Sequence, residues 1–261
     1  MSSPPWGLHR QAGDSGCGKS SLTIRLCEGR FSPQHDVTIG VEFGSRIVPV
    51  GPPHSKALQQ AALSSKNKAN SSGGGSSDAN GGGGGGLPDP PKSSDQQKHM
   101  KLSLWDTAGQ ETYKSVTRSY FRGASGALLV FDISRKSTFA HVTDWLSDLR
   151  QIAEPDIVVI LVGNKADLAG EEDNKREVTV AEAQDWARQN GVLQYVETSA
   201  KSGEGVELAF MQVAERIFDN INAGKYDLND RRSGVKGPGP GQTGRQVRLN
   251  DSSKGNGGGC C

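Results

Sequence analysis

The chain has 261 residues, a formal net charge of +1 and 33% hydrophobic residues. A net charge so near zero gives no general attraction for nucleic acid, and no stretch approaches the ~20 apolar residues that span a membrane. The cysteines are Cys17, Cys27, Cys260 and Cys261. Their positions argue against a disulfide framework and fit a reducing cytosol.

Two segments have a composition typical of unfolded chain. Residues 51–99 carry glycine runs among Ser, Asn, Gln and Pro, and residues 224–261 are rich in Gly, Pro and polar residues. Such stretches bury too little apolar surface to offset the loss of chain entropy. We therefore expect one domain over residues 13–223, interrupted by the insert at 51–99 and followed by a flexible tail. A passive linker is favoured for the insert, and a docking or phosphorylation segment is the alternative.

The first stretch that carries chemistry is Gly13–Ser20, which fits the pattern G-x-x-x-x-G-K-[ST]. Its glycines let backbone N–H groups turn inward around phosphate oxygens, and a helix that begins near Gly18 adds its positive end. Lys19 can reach β- and γ-phosphates, and the Ser20 hydroxyl can ligate Mg²⁺. The stretch predicts a polyphosphate site that contains Ser15, Gly16, Cys17, Gly18, Lys19, Ser20 and Ser21.

The second stretch, Asp106–Gln110, follows an alternating run, Met100–Trp105, which predicts a strand. Asp106 would lie at the end of this strand, where its carboxylate can hold Mg²⁺ through water. The N–H of Gly109 can meet a γ-phosphate, and Gln110 can orient an attacking water. The simpler alternative is a plain exit from strand to loop.

The third stretch, Asn164–Asp167, follows an apolar run, 157–163, that is typical of a strand buried on both faces. The Asp167 carboxylate can accept two hydrogen bonds from the ring N–H and exocyclic amine of guanine. Adenine lacks this donor pair, so Asp167 disfavours an ATPase. Ser199–Lys201 comes after a predicted strand at 193–197, and its backbone can meet the guanine carbonyl. The candidate guanine-binding residues are Asn164, Lys165, Asp167, Ser199, Ala200 and Lys201.

Two further residues complete the predicted site. Thr38 lies between the first helix and the next strand, so its hydroxyl can join Ser20 and Asp106 around Mg²⁺ when a γ-phosphate is present. Phe31 can stack on the guanine, although ordinary packing is its alternative role. The ordered set of stretches predicts a guanine-nucleotide switch.

Strands alternate with amphipathic helices along the chain, which predicts an α/β fold with a mostly parallel sheet and the ligand at the carboxyl ends of its strands. The expected strands are 41–50, 100–105, 127–132, 157–163 and 193–197. Helix boundaries are indicated by Ser137 as an N-cap, by Thr179 with Glu182 as a capping box, by Gly191 as a stop, and by the apolar spacing of 206–221.

The motifs resemble the Rab family of small GTPases, in the Ras superfamily, over residues 13–50 and 100–223 and at the extreme C-terminus. The stretches that carry the resemblance are 35–44, 105–111, 119–124 and Cys260-Cys261. Residues 115–120 are most similar to the branch linked to recycling from early endosomes. The resemblance implies a P-loop NTPase with six strands, and slow hydrolysis of GTP to GDP with Mg²⁺. It also implies an effector-binding aromatic triad, Phe43, Trp105 and Tyr120, for which core packing is the alternative.

The same resemblance implies partners and a location. The expected partners are an exchange factor, a GAP, a GDP-dissociation inhibitor and Rab effectors, with no nucleic acid and a monomeric protein. Cys260 and Cys261 resemble a double-geranylgeranylation signal, and two lipid chains anchor far better than one. The tail carries only a diffuse excess of basic residues, so lipid would dominate anchoring to the cytoplasmic face of endosomal or other endomembranes.

Two departures from the family pattern stand out. A phosphate loop normally follows a buried apolar strand, but residues 1–12 are atypical, with His9-Arg10-Gln11 where β-branched residues are expected. Loss of those apolar side chains would cost roughly 2–5 kcal/mol each. We therefore expect a truncated, alternatively spliced or misassigned start, or else a poor substitute strand over 6–12 in an unstable domain. A non-hydrolysing scaffold is the functional alternative. The second departure lies in Glu111-Thr112-Tyr113, where Rabs usually have arginine followed by Phe or Tyr.

Overall fold

The computed structural model describes residues 6–33, 38, 40–55, 97–107, 119–170, 174–226 and 235–236. Its strands are β1 Trp6–Ala12, β2 Val41–Val50, β3 Lys98–Thr107, β4 Gly126–Asp132, β5 Val158–Asn164, β6 Tyr195–Thr198 and β7 Val235–Lys236. They form one seven-stranded sheet with the order β2-β3-β1-β4-β5-β6, and β7 pairs with β1. All pairings are parallel except those of β2 with β3 and of β7 with β1.

Helices cover both faces of the sheet and bury an apolar layer on each. They are α1 Lys19–Glu28, α2 Lys136–Ala140, α3 Val142–Ile152, α4 Val180–Gln189 and α5 Val206–Asn222. On one face α1 and α5 pack with residues such as Leu22, Phe210 and Ile217. On the other face α2, α3 and α4 contribute residues such as Trp145 and Leu149. The predicted α/β fold with a mostly parallel, six-stranded sheet is confirmed, with β7 as a short additional strand.

The parallel strands bring their carboxyl ends to one edge of the sheet. Asp132 at the end of β4 is paired with Asn164 at the end of β5, and Asn164 is paired with Thr198 at the end of β6. The strand β1 ends beside β4, with Ala12 opposite Leu129. The loops after these strands therefore meet at this edge, as the ligand position in such folds requires.

Some predicted boundaries were wrong. Ser137 is not an N-cap, because the expected helix is divided into α2 and α3 at His141, and Ser137 lies inside α2. The Thr138 hydroxyl accepts from the backbone N–H of Asp132 (3.1 Å), which ties the first turn to the end of β4. The strand β6 begins at Tyr195 instead of Leu193. Thr179 does cap α4, since its hydroxyl accepts from the N–H of Glu182 (3.2 Å).

The strand β1 occupies the centre of the sheet, between β3 and β4. The first strand is therefore not missing. The alternative expectation, a substitute strand over residues 6–12, is confirmed despite the polar sequence of these residues. His9, Arg10 and Gln11 are all buried, with exposed fractions of 1%, 5% and 2%. Backbone pairing along both sides of β1 supplies hydrogen bonds that do not depend on side-chain type.

The three polar side chains of β1 find different surroundings. The Gln11 amide donates to the Thr23 hydroxyl of α1, and the Arg10 guanidinium lies 4.6 Å from the Trp105 ring centroid, a cation–π contact. Neither ring nitrogen of His9 has a hydrogen-bond partner among the described residues. A buried polar group left in this state costs about 1–3 kcal/mol.

The ends of the predicted insert are held together at the edge of the sheet away from those carboxyl ends. Val50 pairs with Lys98, and the Gln97 amide donates to the carbonyl of Val50 (2.9 Å). The N–H of Gly51 donates to the carboxylate of Glu215 in α5, 3.0 Å from each oxygen. Residues 56–96 lie outside the described part of the chain.

Among the described helices, none combines the length and apolar character that a bilayer crossing demands.

The buried His9 predicts an acid-sensitive fold. Burial, with a smaller effect from Arg10, lowers the pKa of His9 from 6.5 to about 3. Between these values the unfolded chain binds one more proton than the folded protein, so stability falls as the pH falls below 6.5. We expect the free energy of unfolding to drop by about 2 kcal/mol more between pH 8 and pH 5 in the wild type than in His9→Val.

Urea unfolding followed by circular dichroism at both pH values measures this difference. The His9→Val variant is the matched control, because it keeps every other titratable group. Equal losses of stability in the two proteins would contradict the assignment of the acid sensitivity to His9.

Candidate nucleotide-binding site

A cavity of about 330 Å³ opens at the carboxyl ends of the parallel strands. That volume is in the range of small-ligand sites. The predicted residues that line it are Ser15, Gly16, Gly18, Lys19, Ser20, Ser21, Phe31, Thr38, Asn164, Lys165, Asp167, Ala200 and Lys201. Thr107, Leu168, Ser32 and Pro33 line it as well and were not predicted. Gly109 and Gln110 lie outside the described residues.

The phosphate loop after β1 depends on glycine where the chain comes close to its neighbours. Gly13 has a φ of +143°, and a Cβ there would lie 2.0 Å from the carbonyl oxygen of Val130. Gly18 has a φ of +89°, and its Cβ would lie 2.3 Å from the Asn164 side-chain nitrogen. Any other residue at these positions would force the loop away from the sheet.

The Lys19 side chain is folded back over this loop. Its ammonium donates to the carbonyl oxygens of Gly13 and Asp14, each at 2.8 Å. Lys19 is only 5% exposed, and burial lowers the pKa of its ammonium. The positive charge thus lies at the wall of the cavity with two carbonyl partners, where it can turn toward phosphate oxygens.

Asp14, in the same loop, is held in place by residues of the helical layer. The carboxylate of Asp14 accepts from the indole N–H of Trp145 (2.9 Å) and lies 2.6 Å from Nδ1 of His141. Because Trp145 is part of the core beneath α3, the loop that holds Lys19 is anchored to a packed helix.

Hard oxygen donors gather at one side of the cavity. The hydroxyls of Ser20 and Thr38 lie 2.7 Å apart, and Thr38 donates to Oδ2 of Asp106 at 3.4 Å. Asp106 is fully buried, its Oδ1 has no hydrogen-bond partner among the described residues, and burial raises the pKa of its carboxyl. Two hydroxyls and an unsatisfied carboxylate are the donor set that Mg²⁺ prefers, so these residues fit that ion.

Asn164 joins the phosphate loop to the opposite side of the cavity. Its amide nitrogen donates to the carbonyl of Cys17 (2.8 Å). Its amide oxygen accepts from the Thr198 hydroxyl (3.1 Å) and from the N–H of Ala200 (3.2 Å). The side chain is 1% exposed, so these bonds form in a site shielded from water.

Asp167 is oriented by the loop that contains Ser199. The Ser199 hydroxyl donates to Oδ1 of Asp167 (2.6 Å), and Lys201 lies 3.8 Å from its Oδ2. A carboxylate held this way can present its free lone pairs to a base edge with two neighbouring donors. Cys17 and Ser199 each contact a residue that lines the cavity. The Cys17 carbonyl accepts from Asn164, and the Ser199 hydroxyl donates to Asp167.

Arg25 supports the site and was missed in the sequence. Arg25 of α1 donates from Nε to the carbonyl of Ala200 (2.8 Å) and from its guanidinium to the carbonyl of Gly29 (2.8 Å). It therefore fixes the 199–201 loop from a distant part of the chain. No local signal marks such a contact, whereas Thr107 could have been found because it follows Asp106 directly.

The predicted aromatic triad is assembled outside the cavity. Phe43 and Trp105 are paired across β2 and β3, with ring centroids 5.5 Å apart, and Trp105 and Tyr120 are 6.2 Å apart. Phe43 is 59% exposed, so it is not part of the core. Cys260 and Cys261 lie outside the described residues.

The fold and the cavity define a nucleotide-binding α/β protein with a phosphate loop. The sequence model of the Ras family matches residues 11–59 and 91–219, which is more than half of the chain. The chain therefore belongs to the Ras family and is a small GTPase of the Ras superfamily, a GTP-binding switch in the general sense. The match leaves out residues 60–90, within the predicted insert.

The position of Asn164 predicts the effect of a change in a single atom. Asn164→Asp replaces the donor to the Cys17 carbonyl with an oxygen, so two acceptors face each other in a buried site. We expect GDP binding to weaken by about 2–4 kcal/mol, as measured by isothermal titration calorimetry.

Thr198→Val is the matched control, since it removes one hydrogen bond to the same amide and keeps the donor to Cys17. We expect this variant to lose about 1 kcal/mol or less. Equal affinities for Asn164→Asp and the wild type would show that the link to Cys17 does not organise the site.

Proposed function

We propose that this protein is a Rab-type switch that hydrolyses GTP to GDP and regulates vesicle trafficking, in particular endosomal recycling. One observation carries the nucleotide part of this proposal. A single cavity is lined at one end by the phosphate loop with Lys19 and at the other by Asp167 and Ala200. Membership of the Ras family also supports nucleotide binding in this cavity.

The residues of the cavity have separate roles in this proposal. Lys19 and the N–H groups of the phosphate loop bind the polyphosphate, while Asp167 accepts hydrogen bonds from guanine and Phe31 packs against the base. Asn164 holds the two ends at a fixed distance, because it bonds both Cys17 and Ala200. Mg²⁺, when bound by Ser20, Thr38 and Asp106, supplies positive charge to the β- and γ-phosphates.

Hydrolysis itself needs a positioned water. Gln110 is the residue proposed to orient it, and Gly109 is proposed to sense the γ-phosphate through its N–H. Turnover is expected to be slow without a GAP, because the arginine that a GAP supplies adds on the order of 10³–10⁵ in rate in this class of enzyme. Thr38 provides the switch, because its hydroxyl is held only by Ser20 and Asp106 among the described side chains and can leave when the γ-phosphate is lost.

The Rab-specific part of the proposal is supported by the aromatic triad. Phe43 is largely exposed beside Trp105 and Tyr120, as a surface for effectors requires. Exchange factors, a GAP and a GDP-dissociation inhibitor are the further proposed partners of a monomeric protein. Geranylgeranyl groups on Cys260 and Cys261 would hold it on the cytoplasmic face of endosomal or other endomembranes, from which it cycles to the cytosol.

GTP turnover tests the enzymatic proposal. Full-length wild-type protein should release phosphate from GTP slowly in the presence of Mg²⁺, and Gln110→Leu should lower this rate at least ten-fold because the attacking water loses its partner. Both proteins should bind GTP with similar affinity.

Gln151→Leu is the control for this experiment, because Gln151 is exposed on α3 and should leave the rate unchanged. If neither the wild type nor Gln110→Leu turns over GTP that both bind, the protein is a scaffold and the enzymatic proposal fails.

Membrane association is tested with the terminal cysteines. Replacement of Cys260 and Cys261 by Ser should shift the protein from the membrane pellet to the supernatant in a cell expressing prenyltransferases, because two buried lipid chains are lost. GDP binding should be unchanged, and Cys27→Ser should stay in the pellet. Continued pelleting of the double variant would contradict lipid anchoring.

A further inference from the structure

A charged network lies beside the phosphate loop, where β4 ends. Asp132, the last residue of β4, is 1% exposed. Its Oδ1 accepts from both the N–H (2.9 Å) and the hydroxyl (2.6 Å) of Ser134. Its Oδ2 accepts from Nε of Arg135 (3.1 Å) and lies 2.7 Å from the Lys165 ammonium. The carboxylate therefore has partners on both of its oxygens.

Arg135 extends this network to the phosphate loop. Its Nη2 donates to the carbonyl of Ser15 (3.1 Å) and lies 3.9 Å from the Cys17 sulfur. A Cβ placed on Gly16 would lie only 3.3 Å from the same nitrogen. The guanidinium is thus in contact with the loop across Ser15, Gly16 and Cys17, and it binds Asp132 and the loop through two different nitrogens.

Lys165 extends the network to the guanine end of the cavity. It lines the cavity and has a φ of +67°, a left-handed conformation that is uncommon for lysine. Burial alone raises the pKa of the Asp132 carboxyl, but hydrogen bonds from Lys165 and Ser134 outweigh it, so the pKa lies below its usual value. Asp132 therefore stays charged at neutral pH and holds both cations.

We propose that Arg135 is a positioning residue that fixes the phosphate loop relative to the guanine end of the cavity and so sets how long a guanine nucleotide stays bound. The inference rests on the proposed binding of GDP and GTP in this cavity. Direct contacts connect the Ser15 carbonyl to Arg135, Arg135 to Asp132, and Asp132 to Lys165. Its loss frees the outer attachment of the loop while Lys19, Asn164 and the Mg²⁺ donors stay in place.

The release of mant-GDP from the full-length protein in Mg²⁺ buffer, after addition of excess GDP, tests this role. Arg135→Gln removes both donors to Ser15 and Asp132, and we expect release to become at least ten-fold faster, since the loss of one charge-assisted hydrogen bond alone has about that effect. Arg135→Lys keeps the charge but has a single nitrogen, so it should remain at least five-fold faster than the wild type. A lysine that restored the wild-type rate would overturn the bridging role.

Arg188→Gln is the matched control. Arg188 also pairs with a nearby carboxylate, that of Asp185, but it is exposed on α4, away from the cavity. We expect its release rate to stay within two-fold of the wild type. Arg135 itself is partly exposed, with a side-chain exposure of 44%, and without it the Asp132 carboxylate keeps its contacts with Ser134 and Lys165. Arg135→Gln should therefore unfold within about 2 °C of the wild type.

The ³¹P NMR signal of bound GDP separates positioning from general loosening. We expect the β-phosphate resonance to shift in Arg135→Gln and to stay unchanged in Arg188→Gln. A release rate within two-fold of the wild type, or an unshifted resonance, would overturn the role of Arg135. Failure of the wild type itself to take up mant-GDP would instead overturn the proposed function, and this inference with it.

Discussion

The site depends on one buried amide. Asn164 donates to the phosphate loop at Cys17 and accepts from Thr198 and Ala200, so one buried side chain links the two ends of the cavity directly. A buried amide is stable only when its donor and acceptor are both paired, and here the partners come from separate segments of the chain. The same contact explains the glycine at position 18, because a side chain there would collide with the amide nitrogen of Asn164. The parallel sheet makes the arrangement possible, since it ends β5 and β6 side by side.

The central strand shows how far backbone pairing can replace side-chain packing. In β1, His9, Arg10 and Gln11 occupy positions where apolar residues would add burial energy, yet the strand pairs with β3 over residues 6–10 and with β4 over residues 9–12. Arg10 is accommodated on the Trp105 ring and Gln11 at Thr23, while His9 is unpaired among the described residues. The phosphate loop that follows is held by contacts of Gly13, Asp14, Arg135 and Asn164, all of which lie outside β1. The polar sequence of β1 lowers the stability of the domain, and domains have only about 5–15 kcal/mol of stability in total.

Much of the fold could be predicted from the sequence because its signals are local. The expected strand 41–50 is β2 with the same bounds, the Thr179 cap is present, and the phosphate-loop glycines are where the pattern requires them. Ser137 was misassigned because a tertiary contact of Thr138 with β4 overrides the local capping preference. The first strand over residues 6–12 was expected only as an alternative, because backbone strand pairing does not appear in a hydrophobicity pattern. Arg25 and Arg135 could not be found, because their partners lie far away in sequence.

The clamp at the base of the insert has a practical meaning. Gln97, Gly51 and Glu215 close the two strand ends against α5, at the edge of the sheet opposite the cavity. Each doubling of a loop costs only about 0.6 kcal/mol, so the length of the segment between the clamped ends has little effect on the energy of the domain. A fluorescent reporter or affinity tag can therefore be genetically embedded between residues 56 and 96. The cavity, the surface around Phe43 and the C-terminus are then left unmodified for imaging in live cells.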